Sequence, residues 1–478
     1  MVRRILVCTV LILMAALTAI GQNMQSLYFL DNSIYGYRIN PAIPSETNFA
    51  GQVFNNVDLS ASSSLGLANF FFKDSSGRLV SGFNRSLPSE TFLGALQESN
   101  DMAAVENLSV LSCGFWTEKD FFHNIEINVR GYENASVPKE MFALLKDGNR
   151  AEPYDLSGFR LSSQAYLEIA YGLSKSINDK ITVGGRFKFL SGMMNLFAET
   201  GHTKIMMNGQ NVTSNSDMVF RSASNMLDIP TRPSVQSSGR RVLDFSKTAP
   251  SGNVFKPAGF GAVVDLGATY RVLDNLTLSL SVLDLGAVRW KQNITGKSSG
   301  NNVRQSGNLM NMSEMKTIGD KIGGSLTNLG NIVEVEAAPA AGDSFSTEML
   351  PVTINAGARY RMPFYDRLSA GMLGSFRTGR GTAYSEFRAG VSVTPLDQLS
   401  FNVNYGFSSY GRTFGTAMNF NLAFFHIHLG YEGYSGLVAR FRNDCRTYNL
   451  PLGKYRYNVN LGLTIVFGER HRNYSPIQ

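Results

Sequence analysis

Every second residue from Tyr455 to Phe467 is apolar or aromatic: Tyr455, Tyr457, Val459, Leu461, Leu463, Ile465 and Phe467. Between them stand Arg456, Asn458, Asn460, Gly462 and Thr464, with Val466 the one exception. Strand side chains alternate faces, so this segment has one oily wall and one mostly polar wall. It is long enough for a tilted strand to cross a bilayer, which takes about 9–11 residues. A soluble sheet can supply one such strand. Recurrence of the same code down a chain marks a transmembrane β-barrel.

The code does recur. Leu167, Ile169, Tyr171 and Leu173 alternate with Glu168, Ala170 and Gly172; after turn residues Asn178, Asp179 and Lys180, the series Ile181, Val183, Phe187, Phe189 alternates with Thr182, Gly184, Arg186, Lys188. A second hairpin sets Val264, Leu266, Ala268 and Tyr270 against Asp265, Gly267, Thr269 and Arg271, then turns at Asp274 and Asn275 into Leu276, Leu278, Leu280 and Val282. Further repeats begin at Val352, Leu368, Phe387 and Leu399. The earlier strands are harder to phase: Leu108 to Trp116 is apolar on both faces, and near Phe424 and Phe425 the alternation slips. Short turns alternate with long inserts at about 72–104, within 196–258, and at 290–349, the pattern of tight periplasmic turns and longer extracellular loops. Short helices are expected at Ser89 to Gln97, Pro138 to Lys146, and between Asn311 and Ile322, lying on the barrel mouth. The expected fold is all-β: a transmembrane antiparallel β-barrel of about 14 strands with an N-terminal plug and a few short helices in the loops.

Arg3 and Arg4, the apolar run Ile5 to Ile20, and small residues Ala19 and Gly21 before Gln22 read as a secretory signal peptide over 1–21. Cys8 lies inside the apolar run and is not placed like a lipoprotein acylation site. Without Arg3 and Arg4 the 44 basic residues fall to 42 against 37 acidic ones, and they are scattered, which argues against a nucleic-acid-binding stripe. Cys113 and Cys445 could pair in an oxidising compartment, but two cysteines are no disulfide framework and no zinc pattern accompanies them. The segments are then 22–50 as an N-terminal hatch, 51–467 as barrel and 468–478 as tail.

The stretch Gly259, Phe260, Gly261 through Asp265, Leu266, Gly267, Ala268, Thr269, Tyr270, followed by Ser281 to Gly286 and Trp290, resembles the central hairpin of FadL-like outer-membrane proteins, and is especially similar to an uncharacterised Bacteroidetes-type branch. Tyr28, Phe29, Leu30 to Tyr37, Arg38, Ile39 and the triplet Asn40, Pro41, Ala42 resemble that family's N-terminal region. The resemblance implies a fourteen-stranded barrel in the bacterial outer membrane, with residues 22–50 folded inward as a hatch. It also implies passage of hydrophobic molecules such as long-chain fatty acids or aromatic hydrocarbons, or, as in another relative, carriage of cargo proteins in secretion.

The inward-facing positions answer to whatever fills the lumen. On this phasing they include Arg130, Arg186, Lys188, Arg271, Arg359, Arg361, Arg377 and Arg388 against Glu126, Glu168, Asp265 and Glu386, a wet lumen biased positive. These charges either pair with one another and with the hatch, or line a path for an anionic headgroup, which arginine grips bidentately. Hatch aromatics Tyr28, Phe29, Tyr35 and Tyr37 line a greasy pocket or pack the plug against the wall. His426 and His428, two apart on one strand face, have chelating spacing, but no carboxylate or cysteine cluster joins them, and a polar lumen pair is the preferred reading. No GxSxG elbow or selected histidine base indicates an enzyme. No cofactor is called for. Expected partners are outer-membrane lipids, a hydrophobic small molecule, or secretion-system proteins. Transport or binding of a fatty-acid-like molecule is preferred over a partner-binding or structural barrel, and both over catalysis.

Overall fold

The computed structural model describes residues 24–469 except 32, 78, 209–210, 235–236, 251–255, 306–332, 340–344, 380–381, 423, 435 and 444–445. The signal peptide at 1–21, the first two hatch residues, Cys445, the helix expected between Asn311 and Ile322 and tail residues 470–478 lie outside the described residues.

One 22-stranded antiparallel sheet dominates, and 14 of its strands close into a barrel. In chain order these are β1 (Thr47–Ser63), β2 (Ser99–Trp116), β3 (Phe121–Pro138), β4 (Arg160–Ser176), β5 (Ile181–Thr200), β6 (Gly259–Leu273) and β7 (Leu276–Lys291). There follow β8 (Val352–Arg361), β9 (Leu368–Gly379), β10 (Thr382–Leu396), β11 (Leu399–Ser408), β12 (Gly411–Leu422), β13 (Phe425–Tyr434) and β14 (Tyr455–Glu469). Each pairs with its sequence neighbours, and β14 closes the ring on β1 from Thr47 opposite Glu469 to Ser63 opposite Tyr455. Closure leaves no sheet edge, which is what lets a β-structure cross a medium that cannot hydrogen-bond it.

The alternation read from the sequence is the alternation seen. Leu461, Ile465 and Phe467 on β14, Val403 and Phe407 on β11, and Leu278 and Leu280 on β7 project outward, exposed, while Asn460, Asn402 and Ser281 are buried inside. Exposed large apolar side chains of this kind ring the whole wall. An apolar belt of that extent on a closed barrel has lipid as its solvent, so the protein is an outer-membrane β-barrel.

The unclear phase of Leu108 to Trp116 has a local cause. A bulge on β2 between Ser109 and Leu111 inserts one residue, so Leu108 and Leu111 both face outward while Ser109 stays inside. The slip at Phe424 is a tight turn, with Leu422 paired to Phe425.

Connections at 177–180, 274–275, 362–367 and 397–398 are short and share one end with Thr47 and Glu469, the periplasmic end. The long connections gather at the other end and are folded. Above Gly192, β5 leaves β6 and pairs instead with strand Asn211–Ser224, extending the wall on one side. The helices fall near their expected places, α1 at Ser89–Gly94 and α2 at Lys139–Asp147, with Pro138 capping the second. Phe92 of α1 and Phe142 of α2 meet edge to face at 6.5 Å in an apolar cluster with Leu65, Leu87 and Leu96, so the two loops share one small core.

Candidate functional site

Residues Met24 to Ser45 lie within the ring of strands, nearly all of them buried. Two short 3-10 turns, Gln25–Tyr28 and Gly36–Arg38, bend the segment without the long regular ladder it would need to satisfy itself. Its polar groups turn to the wall instead, as buried polar groups must. The Ser26 backbone N–H and Oγ both donate to Glu432 on β13, at 2.7 and 2.8 Å. Tyr28 Oη meets Ser279 Oγ of β7 at 2.9 Å, and Tyr35 Oη meets Thr464 Oγ1 of β14 at 2.7 Å. Phe29 stacks edge-on against Tyr28, with ring centres 5.4 Å apart. Asn40 Nδ2 donates to the carbonyls of Ala268 and Leu280 at 3.2 and 3.1 Å. This close approach needs bare backbone: a Cβ on Gly267 would collide with Asn40 Oδ1, and one on Gly184 with the Pro41 carbonyl. The Asn40, Pro41, Ala42 triplet is thus seated on two wall glycines.

Around this segment most of the buried charges fall into two networks, with Asp58 on β1 standing apart and accepting from the Met24 N–H. In the first, Arg38 of the hatch reaches Glu126 on β3 at 2.7 Å, and Glu126 also holds Arg186 on β5. Lys188 sits 2.7 Å from both Asp265 on β6 and Asp284 on β7. Arg130 binds Glu168 at 2.6 Å and Asp284 at 3.1 Å. In the second, Arg388 and Arg456 enclose Glu386, with Arg388 2.6 Å from it, and both also face Glu432 at 3.7 and 3.5 Å.

The expected positive bias is absent from these networks. Arg38, Arg130, Arg186 and Lys188 face Glu126, Glu168, Asp265 and Asp284, and Arg388 and Arg456 face Glu386 and Glu432, so each network is balanced. The inward set read from the sequence contributes four cations and four acids to these networks; Arg38, Arg456, Asp284 and Glu432, two of each sign, stand outside that set and keep the balance. Asp284 evades the alternation because it sits in a bulge of β7 with φ of +62°, a left-handed conformation aspartate tolerates better than most residues. Its backbone N–H donates to Asp265 Oδ1 at 2.8 Å, locking the bulge to its neighbour. Arg456 was legible on the polar wall of β14; Arg38 lies in a segment with no period to read.

The remaining expected lumen cations go elsewhere. Arg359 pairs with Asp31 of the hatch. Arg377, buried, lies over the Tyr132 ring at 4.8 Å. Arg271 and Arg361 sit at the periplasmic rim, Arg361 exposed, and neither is among the residues of the two networks.

Between hatch and wall a cavity of about 30 Å³ is bordered by Gln25, Asp58, Arg130, Asp284, Asn355 and Arg377. That is room for about one water molecule. On the loop side of the first network the lumen becomes apolar: Leu190, Val263, Val288, Trp290, Ala258 and Tyr166 form one buried cluster. The change occurs within two residues on each strand, from Tyr132 to Arg130, Tyr166 to Glu168, Leu190 to Lys188 and Val263 to Asp265. Such an arrangement can hold an apolar body against a polar, hydrogen-bonding floor. Among the described residues no group of three or more His, Cys, Asp or Glu is placed to hold a metal ion.

A family described as one of unknown function, DUF5723, matches residues 41–432. No curated protein matches the chain. Solved structures similar to it include the toluene transporter TodX of P. putida, at 11% identity over 95% of this chain and 99% of that one, with a TM-score of 0.44. The Ralstonia pickettii toluene transporter TbuX gives 9% identity, 94% and 99% coverage and 0.45. A Pseudomonas aeruginosa FadL homologue gives 12%, 94% and 96%, and 0.41.

Proposed function

The chain belongs to the DUF5723 family, whose function is unknown, and from its lumen we propose that this outer-membrane barrel binds and passively passes a small hydrophobic or amphipathic molecule of fatty-acid type. One observation carries the reading: the apolar cluster around Trp290 rests directly on the layer holding Arg130, Lys188 and their carboxylates. An acyl chain matches the first and an anionic headgroup the second. The hatch then acts as a gate. Passage requires the ties Arg38 to Glu126, Ser26 to Glu432 and Asp31 to Arg359 to yield, because they close the route beneath that layer.

The chain has two tryptophans, Trp116 near the periplasmic end and Trp290 in the apolar cluster. In a Trp116→Phe variant, a brominated long-chain fatty acid should quench the Trp290 emission saturably, and the brominated alcohol of equal length should do so more weakly. Mass spectrometry of lipids retained through purification should find a fatty acid or hydrocarbon. Absence of saturable quenching together with an empty lumen would end this reading.

The closed lumen favours one alternative, a barrel that binds protein partners through its loops. The buried hatch supports it, as does the apolar cluster that two of the loops share. Secreted proteins retained on the purified barrel, with no small ligand, are the outcome it expects.

A further inference from the structure

The side of the lumen opposite the first charge network is built differently. On β12 and β13 the inward residues beneath Glu432 are uncharged, and two of them are His426 and His428, almost wholly buried. His428 Nδ1 lies 2.6 Å from Asn419 Oδ1 on the adjoining strand. An amide oxygen only accepts, so Nδ1 carries the proton and Nε2 presents its lone pair. No donor meets that lone pair, nor the Nε2 of His426 one rung nearer the periplasm.

What stands nearby is a thioether. Met24 Sδ of the hatch fills the space that a Cβ on Gly430 would need, and His428 Nε2 is 3.4 Å from that same point. Glycine at 430 is what lets sulfur and imidazole nitrogen converge against the bare backbone of β13. The Met24 backbone N–H donates to Asp58 on β1 at 3.1 Å, fixing the approach of the side chain, and the Tyr35 ring lies edge-on to His428 at 5.6 Å. Thioether and imidazole ligands with no carboxylate among them suit a soft monovalent ion and not a hard or strongly hydrated one. The amide behind His428 is the outer partner that metal-binding imidazoles ordinarily have, fixing tautomer and ring orientation.

We infer that Met24 and His428, with His426 as a third donor, form a site for copper(I) that staples the hatch to the barrel wall. The site is independent of the ligand reading above: it lies across the lumen from the Trp290 cluster and uses none of its residues. Asn419 is a positioning residue, acting through His428.

The test uses the purified full-length barrel, copper(I) kept reduced by ascorbate, and bicinchoninate as competing chelator. The wild type should retain one copper per chain against the chelator, and X-ray absorption should show sulfur as well as nitrogen scatterers. Met24→Leu should abolish the sulfur signal, and His428→Phe should remove the copper. Asn419→Leu should weaken binding by about 10–100-fold, as loss of an outer partner does. Met24→Leu conserves volume outside the barrel strands, so assembly, read by heat modifiability, should be unchanged. Copper(I), or silver(I) as an air-stable probe, should also slow proteolysis of the hatch in the wild type and not in Met24→Leu. Complete loss of copper from the wild type to the chelator overturns the assignment, as does equal retention by Met24→Leu and His428→Phe, which would place the metal elsewhere.

Discussion

The Arg38 guanidinium, carried on a segment inside the barrel, lies 2.7 Å from the Glu126 carboxylate on β3, and both side chains are almost completely buried. Nε and Nη2 both donate to Glu126 Oε1, while Nη1 donates to Asn56 on β1 at 2.6 Å. Nη2 also donates to Ser109 on β2 at 3.2 Å, so one side chain binds the hatch to three strands. Glu126 also accepts from Tyr37 at 2.8 Å, so the acid is the socket into which the hatch is set.

Removing one partner of a buried pair is costly because the other charge remains, typically by about 3–5 kcal/mol. Glu126→Gln leaves both Arg38 and Arg186 without their shared carboxylate, whereas Arg38→Ala leaves Glu126 with Arg186. Glu126→Gln should therefore destabilise more than Arg38→Ala in chemical unfolding of the detergent-solubilised barrel. In both, limited proteolysis should cut between residues 24 and 45 before the barrel wall is attacked.

The two faces of the wall should respond to charge in different ways. Val403→Arg or Leu461→Arg places a cation in lipid, at about 2–4 kcal/mol near the bilayer midplane, and should block assembly or destabilise the barrel strongly. On sequence alone Asn402→Arg and Asn460→Arg would be far milder, since those positions face water. The structure shows both asparagines buried in a filled lumen. The barrel should thus still assemble in these variants, giving a heat-modifiable band, while its hatch becomes sensitive to protease.

The glycine seat of the hatch can be tested by filling it. Gly267→Val would push into Asn40, at about 1–3 kcal/mol for overpacking. The strand itself tolerates valine well. Barrel assembly should persist and hatch protection fall; an assembled variant whose hatch is as protected as the wild type's would contradict the seating.

Legibility in the sequence followed the alternation. β3 to β11 and β14 could be phased because lipid on one side and a polar lumen on the other impose a period of two, and that phasing placed Glu126, Arg130, Glu168, Arg186, Lys188, Asp265, Glu386 and Arg388 inside. It failed where the backbone adds a residue. The bulge at Asp284 moves the lumen face from Ser279 and Ser281 to Val288 and Trp290, and so hid an acid that joins two cations. It also failed in the hatch, where Arg38 sits in a 3-10 turn and its role depends on strands far away in sequence. The positive bias came from Arg271, Arg359, Arg361 and Arg377, which are not among the residues of the two networks, Arg359 being paired with Asp31 of the hatch. Arg361 was misjudged for another reason: the wall ends at that rung, and the alternation continues briefly past the point where facing inward has meaning.

All of these outcomes depend on residues 24–45 filling the ring of strands. Single-channel conductance in planar bilayers tests this most directly, comparing the intact protein with a variant lacking those residues. The intact protein should show no steady ion conductance and the deletion variant should form a stable open channel. A steady channel in the intact protein, or equal silence from a correctly assembled deletion variant, would contradict the account.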